Sequence, residues 1–287
     1  MSQPGPELAP LNVAELLRRY GLRPDKRLGQ NFLVDDSALR KVVAAAEVGP
    51  EDSVLEVGPG LGSLTRYLAA SARRVTAVEL DSDLFQPLQE VLATFDNVRL
   101  VQGDILGLNP AELMETPGYL VVANIPYYIT SALIRHLLEA PLLPERITLT
   151  IQREVAERLV AGPGDMSLLA LSVQVYGDPR LAARLPAGAF YPAPKVDSAV
   201  VRIDLYPSPR IPAPLLDSFF RLAKAGFSQK RKNLRNALSA GMRWTPAQAE
   251  VLLAAAGIQP QRRAETLSLE EWGRLAAEVE SAPPGTG

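Results

Sequence analysis

The segment that most constrains the fold of this chain is an apolar run, residues 120–123, that ends at Asn124 and is followed by Ile125 and Pro126. A short apolar run predicts a strand buried inside a sheet. Pro126 has no N–H to donate and favours an extended Ile125, so the strand must stop in a stiff turn. A helical pattern follows at residues 132–139. The turn therefore lies at the carboxyl end of a strand, where open α/β sheets bind ligands.

The residues of this turn are suited to an aromatic amine. Asn124 and the Ile125 carbonyl offer two hydrogen-bond acceptors, and an exocyclic amine has two N–H donors. Tyr127 offers a flat face on which a nucleobase can stack, worth ~1–3 kcal/mol. These residues predict a pocket for the amino group of an extruded adenine. An ordinary connection with a structural asparagine and a core tyrosine is the alternative at this point.

A glycine-rich turn follows an earlier predicted strand, residues 53–57. Its glycines are Gly58, Gly60 and Gly62, and they let a ligand approach the backbone at the start of a predicted helix. A dinucleotide-binding turn has the spacing G-x-G-x-x-G. The compressed spacing therefore disfavours an NAD oxidoreductase and resembles the nucleoside loop of S-adenosylmethionine (SAM) methyltransferases.

Acidic residues end the next two predicted strands. Glu79 lies 21 residues after Gly58 and is predicted to accept hydrogen bonds from both hydroxyls of a ribose. Asp104 follows the third strand and is predicted to accept from the amino group of the SAM adenine. Because parallel strands end at the same edge of a sheet, we expect Gly58, Glu79, Asp104 and Asn124 to share one site.

Proline content indicates the domain boundary, since four prolines occur in residues 206–214, as in a semi-rigid linker. The predicted organisation is a disordered tail at 1–11, a catalytic domain at 12–206, a linker at 207–214, a helical domain at 215–281 and a tail at 282–287. Residues 181–185 and 198–206 are predicted to end the sheet as an antiparallel pair. The loop between them is stiffened by prolines and presents Phe190 as a second face for the adenine, with a hydrophobic plug as the alternative.

Composition narrows the possible functions. The chain has no cysteine and one histidine, His136, which excludes thiol catalysis and predicts no metal site. No run of 18 apolar residues and no secretory signal are visible, so we expect a cytoplasmic protein without membrane association.

The net charge is −2, but its distribution is uneven: residues 218–249 contain no acid. We predict an RNA-binding face here, on two helices at 215–225 and 230–240, with a solvated helix face as the alternative. Its basic residues are Arg221, Lys224, Lys230, Arg231, Lys232 and Arg235.

Together the motifs resemble one family, the ribosomal RNA small-subunit adenine N6,N6-dimethyltransferases. The matching segments are residues 28–33 (LGQNFL), 56–62 (EVGPGLG), 79–81 (ELD), 103–104 (GD), 124–127 (NIPY), 190–198 (FYPAPKVDS) and 227–232 (FSQKRK).

The resemblance implies an α/β fold, with a Rossmann-like class I SAM-methyltransferase sheet and a small all-helical C-terminal domain. It implies that SAM is the cofactor and S-adenosylhomocysteine the product. The implied cofactor-binding residues are Asn31, Leu33, Gly58, Gly60, Glu79, Asp104 and Asn124. The implied catalytic residues, which hold the target adenine, are Asn124, Ile125, Pro126, Tyr127 and Phe190.

The resemblance further implies dimethylation of two adjacent adenines near the 3′ end of 16S rRNA, within the immature 30S subunit, by a monomer with a role in late subunit biogenesis. Two alternatives stay open. One is a large-subunit rRNA methyltransferase of the antibiotic-resistance type. The other is a SAM-binding assembly factor for which catalysis is secondary.

Overall fold

The computed structural model of this chain describes residues 8–114 and 116–281. The strands in these residues are β1 Phe32–Leu33, β2 Ser53–Val57, β3 Arg74–Glu79, β4 Val98–Gln102, β5 Leu120–Asn124, β6 Arg146–Gln152, β7 Gly177–Leu185, β8 Phe190–Tyr191 and β9 Ser198–Leu205. Seven of them form the main sheet, in the order β4-β3-β2-β5-β6-β9-β7.

The centre of the main sheet is parallel, because β2 pairs in parallel with β3 and β5, and these pair in parallel with β4 and β6. The strand order reverses beside β2, which is where doubly wound sheets open a crevice for ligands. β9 then pairs antiparallel with β6, and β7 lies beside β9 at the sheet edge. The predicted α/β fold class is confirmed.

Eight helices of the described residues precede β7 in the chain, and four follow β9. They are α1 Val13–Arg19, α2 Asp36–Ala46, α3 Ser63–Ala69, α4 Phe85–Leu92, α5 Pro110–Met114, α6 Thr130–Leu138, α7 Arg153–Leu159, α8 Leu168–Gln174, α9 Leu216–Phe227, α10 Leu234–Met242, α11 Pro246–Ala255 and α12 Leu269–Ser281. Local capping explains several boundaries: Asp35 caps α2, and Ser268 with Glu271 forms a capping box for α12.

One predicted helix boundary is wrong. The helix predicted for residues 230–240 begins only at Leu234, because Asn233 has an extended backbone and its side chain accepts a hydrogen bond from the Asn236 N–H. An Asn at this position ends the preceding turn and starts the helix. Lys230, Arg231 and Lys232 therefore precede the helix, and the Lys232 N–H donates to the Gln229 carbonyl in a turn.

The chain divides into two compact units. Of the described residues, the first unit contains 8–114, 116–156 and 179–205, and the second contains 157–178 and 206–281. α8 thus belongs with the C-terminal helices: Leu171 packs in a core with Phe219, Leu238 and Trp272. The sequence-based division placed residues 157–178 in the catalytic domain, because the proline-rich linker was the only boundary signal.

At the ends of the chain, residues 1–7 and 282–287 lie outside the described residues. Within the predicted tail, the Ala9 carbonyl accepts a hydrogen bond from Arg66 of α3. None of the helices in residues 8–114 and 116–281 has the length and apolar character that a membrane span requires.

Candidate active site

A cavity of about 200 Å³ lies in the first unit, at the carboxyl edge of the parallel strands. Every residue predicted to bind the cofactor or the target adenine lines it. These are Asn31, Leu33, Gly58, Gly60, Glu79, Asp104, Asn124, Ile125, Pro126, Tyr127 and Phe190. The structure therefore brings together side chains from positions 31 to 190, and their individual roles stay predictions.

The glycine turn after β2 forms one wall of the cavity. Gly58 and Gly60 have φ values of 69° and 59°, in the region that favours glycine. A Cβ at Gly60 would lie 2.9 Å from the Phe32 ring, and a Cβ at Gly58 would lie 3.9 Å from the Asn124 carbonyl oxygen. Bare backbone at these two positions leaves the space that a nucleoside needs for close approach.

Glu79 lies at the end of β3, buried beside the glycine turn. Its Oε2 accepts from the Gly60 N–H at 2.9 Å, and its Oε1 accepts from the Asp81 N–H at 2.9 Å. Burial raises the pKa of the Glu79 carboxyl, while these two backbone donors oppose that rise. Each carboxylate oxygen retains a lone pair for another donor, which fits the two hydroxyls of a ribose.

Two further polar residues hold the adjoining wall. Gln30 donates to Asp81 Oδ2 at 2.6 Å, which ties the segment before β1 to the end of β3. Asp104 Oδ1 accepts from the Leu106 N–H at 3.0 Å, so a local turn orients this carboxylate at the cavity. The acceptors that the sequence placed at the strand ends are therefore held by backbone geometry.

Asn124 connects the strand edge to the segment that carries Asn31. Its Nδ2 donates to the Asn31 carbonyl oxygen at 3.1 Å. The amide orientation is assigned from this hydrogen bond. With the amino group committed to Asn31, the side-chain oxygen is the end of Asn124 that can accept a hydrogen bond from a substrate amine.

The aromatic residues of the predicted adenine pocket differ in exposure. Tyr127 is partly buried, and its hydroxyl lies 2.7 Å from Oγ of Ser198, the first residue of β9. Burial raises the pKa of Tyr127 above its usual value, so its ring is neutral. Phe190 is only 4% exposed, so it is an inner wall of the cavity and not the exposed platform that the proline-rich loop suggested.

A short second sheet explains how Phe190 reaches this cavity. β1 and β8 pair antiparallel, with Phe32 opposite Tyr191 and Leu33 opposite Phe190. This pairing joins the segment of the predicted cofactor residues Asn31 and Leu33 to the loop that carries Phe190. Sequence patterning missed it, since two-residue strands have no periodicity to detect.

Glu56 is a cavity residue that the sequence analysis did not single out. It is 1% exposed within β2, and its Oε2 has no hydrogen-bond partner among the described residues. Burial raises the pKa of Glu56 to about 8, and the nearby Glu79 carboxylate adds to the rise. A charged residue type inside an otherwise apolar buried strand was the available signal.

The residues predicted to bind RNA lie in the second unit and are exposed or partly exposed. Arg235 is paired with Glu250 at 2.8 Å, and Arg221 donates to Ser218 Oγ at 2.9 Å. The acid-free run ended one residue before Glu250, so the sequence did not show that Arg235 has an acidic partner. Lys230, Arg231 and Lys232 lie together in the turn before α10.

Known proteins similar to this chain share most of its length. A profile of the family "Ribosomal RNA adenine dimethylase" matches residues 22–281. The chain is 47% identical over 270 residues to the "Ribosomal RNA small subunit methyltransferase A" of Dehalococcoides mccartyi (strain CBDB1), covering 94% of this chain and 93% of that protein. It is 43% identical over 278 residues to the protein of the same name from Moorella thermoacetica, covering 93% and 96%.

Solved structures give the same fold. The crystal structure of the 23S rRNA methyltransferase ErmE has a TM-score of 0.71 and 30% identity, covering 88% of this chain and 100% of that one. A dimethyladenosine transferase from Plasmodium falciparum has a TM-score of 0.72 at 24% identity, covering 87% and 97%, and supports the fold alone.

The sheet, the glycine turn and the strand-end acids define a SAM-dependent methyltransferase. The family profile that matches residues 22–281 and the 47% identity with a relative identify the family. The chain belongs to the ribosomal RNA adenine dimethylase family, so the predicted family, enzyme class and cofactor are confirmed.

Proposed function

We propose that this protein transfers methyl groups from SAM to N6 of two adjacent adenines near the 3′ end of 16S rRNA, giving N6,N6-dimethyladenosine. The observation that carries the proposal is the Asn124 hydrogen bond to Asn31, 3.1 Å long. It joins a residue of the predicted adenine pocket to the segment predicted to bind the cofactor, and it leaves the Asn124 oxygen available to the substrate.

The chemical problem is that the adenine N6 lone pair is delocalised into the ring and is a poor nucleophile. Acceptors at Asn124 and the Ile125 carbonyl turn the amine so that this lone pair points out of conjugation and toward the methyl donor. Tyr127 and Phe190 hold the two faces of the base. Positioning of this kind lowers a reaction barrier by up to ~7–11 kcal/mol.

When bound, SAM supplies an electrophilic methyl group and leaves as S-adenosylhomocysteine. The N6 lone pair forms the new N–C bond, and the resulting ammonium loses its proton to water because it is acidic. The residues that line the cavity include no His, Cys or Lys. His136 does not line the cavity, and its Nε2 lies 2.9 Å from the Leu108 carbonyl oxygen.

The target must leave its stack to enter the cavity, at a cost of a few kcal/mol unless the RNA already presents it in a loop. We propose that the basic residues of the second unit contact phosphates of the same RNA. They are Arg221, Lys224, Lys230, Arg231, Lys232 and Arg235. The proposed setting is the immature 30S subunit in the cytoplasm, where the protein acts as a monomer late in subunit assembly.

The test measures methyl transfer from labelled SAM to undermodified 30S subunits and, in parallel, to undermodified 50S subunits, followed by nucleoside analysis. We expect N6,N6-dimethyladenosine in 16S rRNA only. Label in 23S rRNA alone would overturn the proposal in favour of the large-subunit activity named for ErmE, which is 30% identical to this chain.

A companion experiment addresses the assembly-factor alternative. A variant without methyl transfer but with normal SAM and 30S binding is expressed in cells that lack the wild-type protein. If that variant fully restores 30S maturation, docking and not methylation is the main task of the protein.

A further inference from the structure

We propose that Tyr128 forms a second stacking surface, at the rim of the cavity, for the nucleotide adjacent to the target adenine. The inference rests on the proposed function, because it assigns the neighbouring base of the same RNA. It concerns a residue to which neither the sequence analysis nor the proposed mechanism gives a role.

The exposure of Tyr128 is the first observation. Its side chain lines the cavity and yet is 63% exposed, whereas its neighbour Tyr127 is partly buried and bonded to Ser198. A tyrosine exposed to that degree contributes little to the core. A large flat apolar surface at a site that receives nucleobases is the kind of platform on which single-stranded bases stack.

The ring is also held in place. A Cβ on Gly29 would lie 3.5 Å from both Cδ1 and Cε1 of Tyr128, which is van der Waals distance. The ring thus lies beside the bare backbone of Gly29, whose φ is 63°, at the place where any side chain on residue 29 would touch it. The backbone of Tyr128 lies in the 3₁₀ turn Tyr127–Ile129, where the Ile129 N–H donates to the Pro126 carbonyl. A held ring loses little entropy when a base stacks on it.

Spacing supports one nucleotide for each tyrosine. Tyr127 and Tyr128 are consecutive residues, with Cα atoms ~3.8 Å apart, and adjacent nucleotides are joined by a single phosphodiester linkage. One base seated against Tyr127 inside the cavity therefore leaves its neighbour within reach of Tyr128 at the rim. Because the two target adenines are adjacent, this neighbour is the other substrate base in each round of transfer.

The charge around this ring suits a nucleic acid strand. The Gly29 N–H donates to the Lys26 carbonyl, so Lys26 and Arg27 occupy the same turn as the glycine under the ring. Both side chains are exposed. Arg27 pairs with Asp25 at 2.9 Å, with 90% of its side chain exposed, and exposed pairs of this kind are weak enough to exchange for a phosphate.

The test compares Tyr128→Ala, Tyr128→Phe and wild type in the full chain, with undermodified 30S subunits as substrate. Leu181→Ala is the matched control, since Leu181 is an exposed apolar residue of β7 that does not line the cavity. The measurements are the SAM Kd without RNA, the KM for 30S, kcat, and the number of methyl groups on each adenine.

Stacking predicts a KM for 30S that is about 5- to 150-fold higher in Tyr128→Ala, with an unchanged SAM Kd. It also predicts a lower yield of the second modified adenine. Tyr128→Phe and Leu181→Ala should stay within about twofold of wild type, because each leaves the proposed stack intact.

Two results would overturn the inference. One is a Tyr128→Ala enzyme with wild-type KM and wild-type methyl distribution; the proposed function would survive it, since both adenines would still be methylated. The other is an equal loss in Tyr128→Phe, which would assign the effect to the hydroxyl group. Failure of the wild-type protein to methylate 30S at all would instead remove the proposed function.

Discussion

The strand-edge cavity and the basic segment of the second unit are both predicted from sequence. The structure agrees with the prediction more closely in the cavity than in the basic segment. In the cavity, acceptors from distant positions are held by backbone donors, as at Glu79 with the Gly60 and Asp81 N–H groups. In the basic segment, a predicted helix turned out to start later, and Arg235 has an acidic partner in Glu250.

The difference shows what kind of inference each prediction used. Residues that end parallel strands meet because the sheet brings their carboxyl ends together, whatever the intervening sequence. A count of charges along the chain has no such constraint, because a partner from the next helix cancels a charge. Geometry-based predictions should therefore survive mutational tests better than composition-based ones.

The largest expected effect is at Asn124. Asn124→Ala should lower kcat/KM for methyl transfer by more than about 100-fold, because small misplacements of a reactive group cost that much, while the fold is retained. Asn124→Asp is the companion variant: it keeps acceptor oxygens but loses the donor to the Asn31 carbonyl. Near-normal turnover by Asn124→Ala, measured with labelled SAM and 30S, would remove its assigned role.

The next effect concerns stability and Glu56. The folded protein keeps the Glu56 proton until about pH 8, whereas the usual value in an unfolded chain is 4.5. Between these values the folded state binds more protons, so a rise in pH favours unfolding. The free energy of unfolding of Glu56→Gln should therefore match that of wild type below pH 4.5. From pH 4.5 to 8 the variant should gain stability relative to wild type, by on the order of 1 kcal/mol per pH unit.

Urea unfolding of the cofactor-free protein, followed by circular dichroism from pH 4 to 8, measures this difference. The Gln variant is a close match in shape and cannot ionise. A difference in the free energy of unfolding that stays constant with pH would show that Glu56 is charged in the folded protein. The inference that burial keeps this cavity residue neutral would then be wrong.

A smaller effect is expected for the Tyr127 and Ser198 pair. Tyr127→Phe and Ser198→Ala each remove a neutral hydrogen bond, worth about 0.5–1.5 kcal/mol, so each should lower kcat about 2- to 10-fold. The double variant should lose no more than the worse single variant. Full additivity would mean that the 2.7 Å contact does not couple the two residues.

Thr148→Val is the matched control for that pair. Thr148 is buried on β6, and its Oγ1 has no hydrogen-bond partner among the described residues. This substitution changes a hydroxyl inside the same sheet without touching Tyr127, and kcat should therefore stay at the wild-type value.

The smallest expected effect separates paired from unpaired charges in the basic segment. Lys232→Ala should weaken 30S binding and reduce the slope of log K against log salt by about 0.7–0.9, as for one phosphate contact. Arg235→Ala should change the slope less, because Glu250 already offsets its charge. Glu250→Gln should have the opposite effect on 30S affinity and tighten binding. Equal slopes for the two basic variants would show that the Glu250 pair does not matter.

Sequence was sufficient where a local rule fixes the result. The strand predicted for residues 53–57 has the predicted bounds, since its apolar run ends at the glycine turn. Gly58, Glu79, Asp104 and Asn124 line one cavity, as the shared edge of parallel strands predicts. It was insufficient for Phe190, whose burial depends on pairing with Leu33, and for α8, whose packing on the C-terminal helices no local signal encodes.

The pairing of β1 with β8 has a consequence for how this enzyme can change. Leu33 and Phe190 face inward together, while Tyr191 faces out. A slip of one residue in β8 would exchange the faces of Phe190 and Tyr191. An insertion that shifts one strand of the β1–β8 pair therefore has to be matched in the other strand. The segment predicted to bind the methyl donor and the loop predicted to hold the acceptor base can accordingly be remodelled only as a pair.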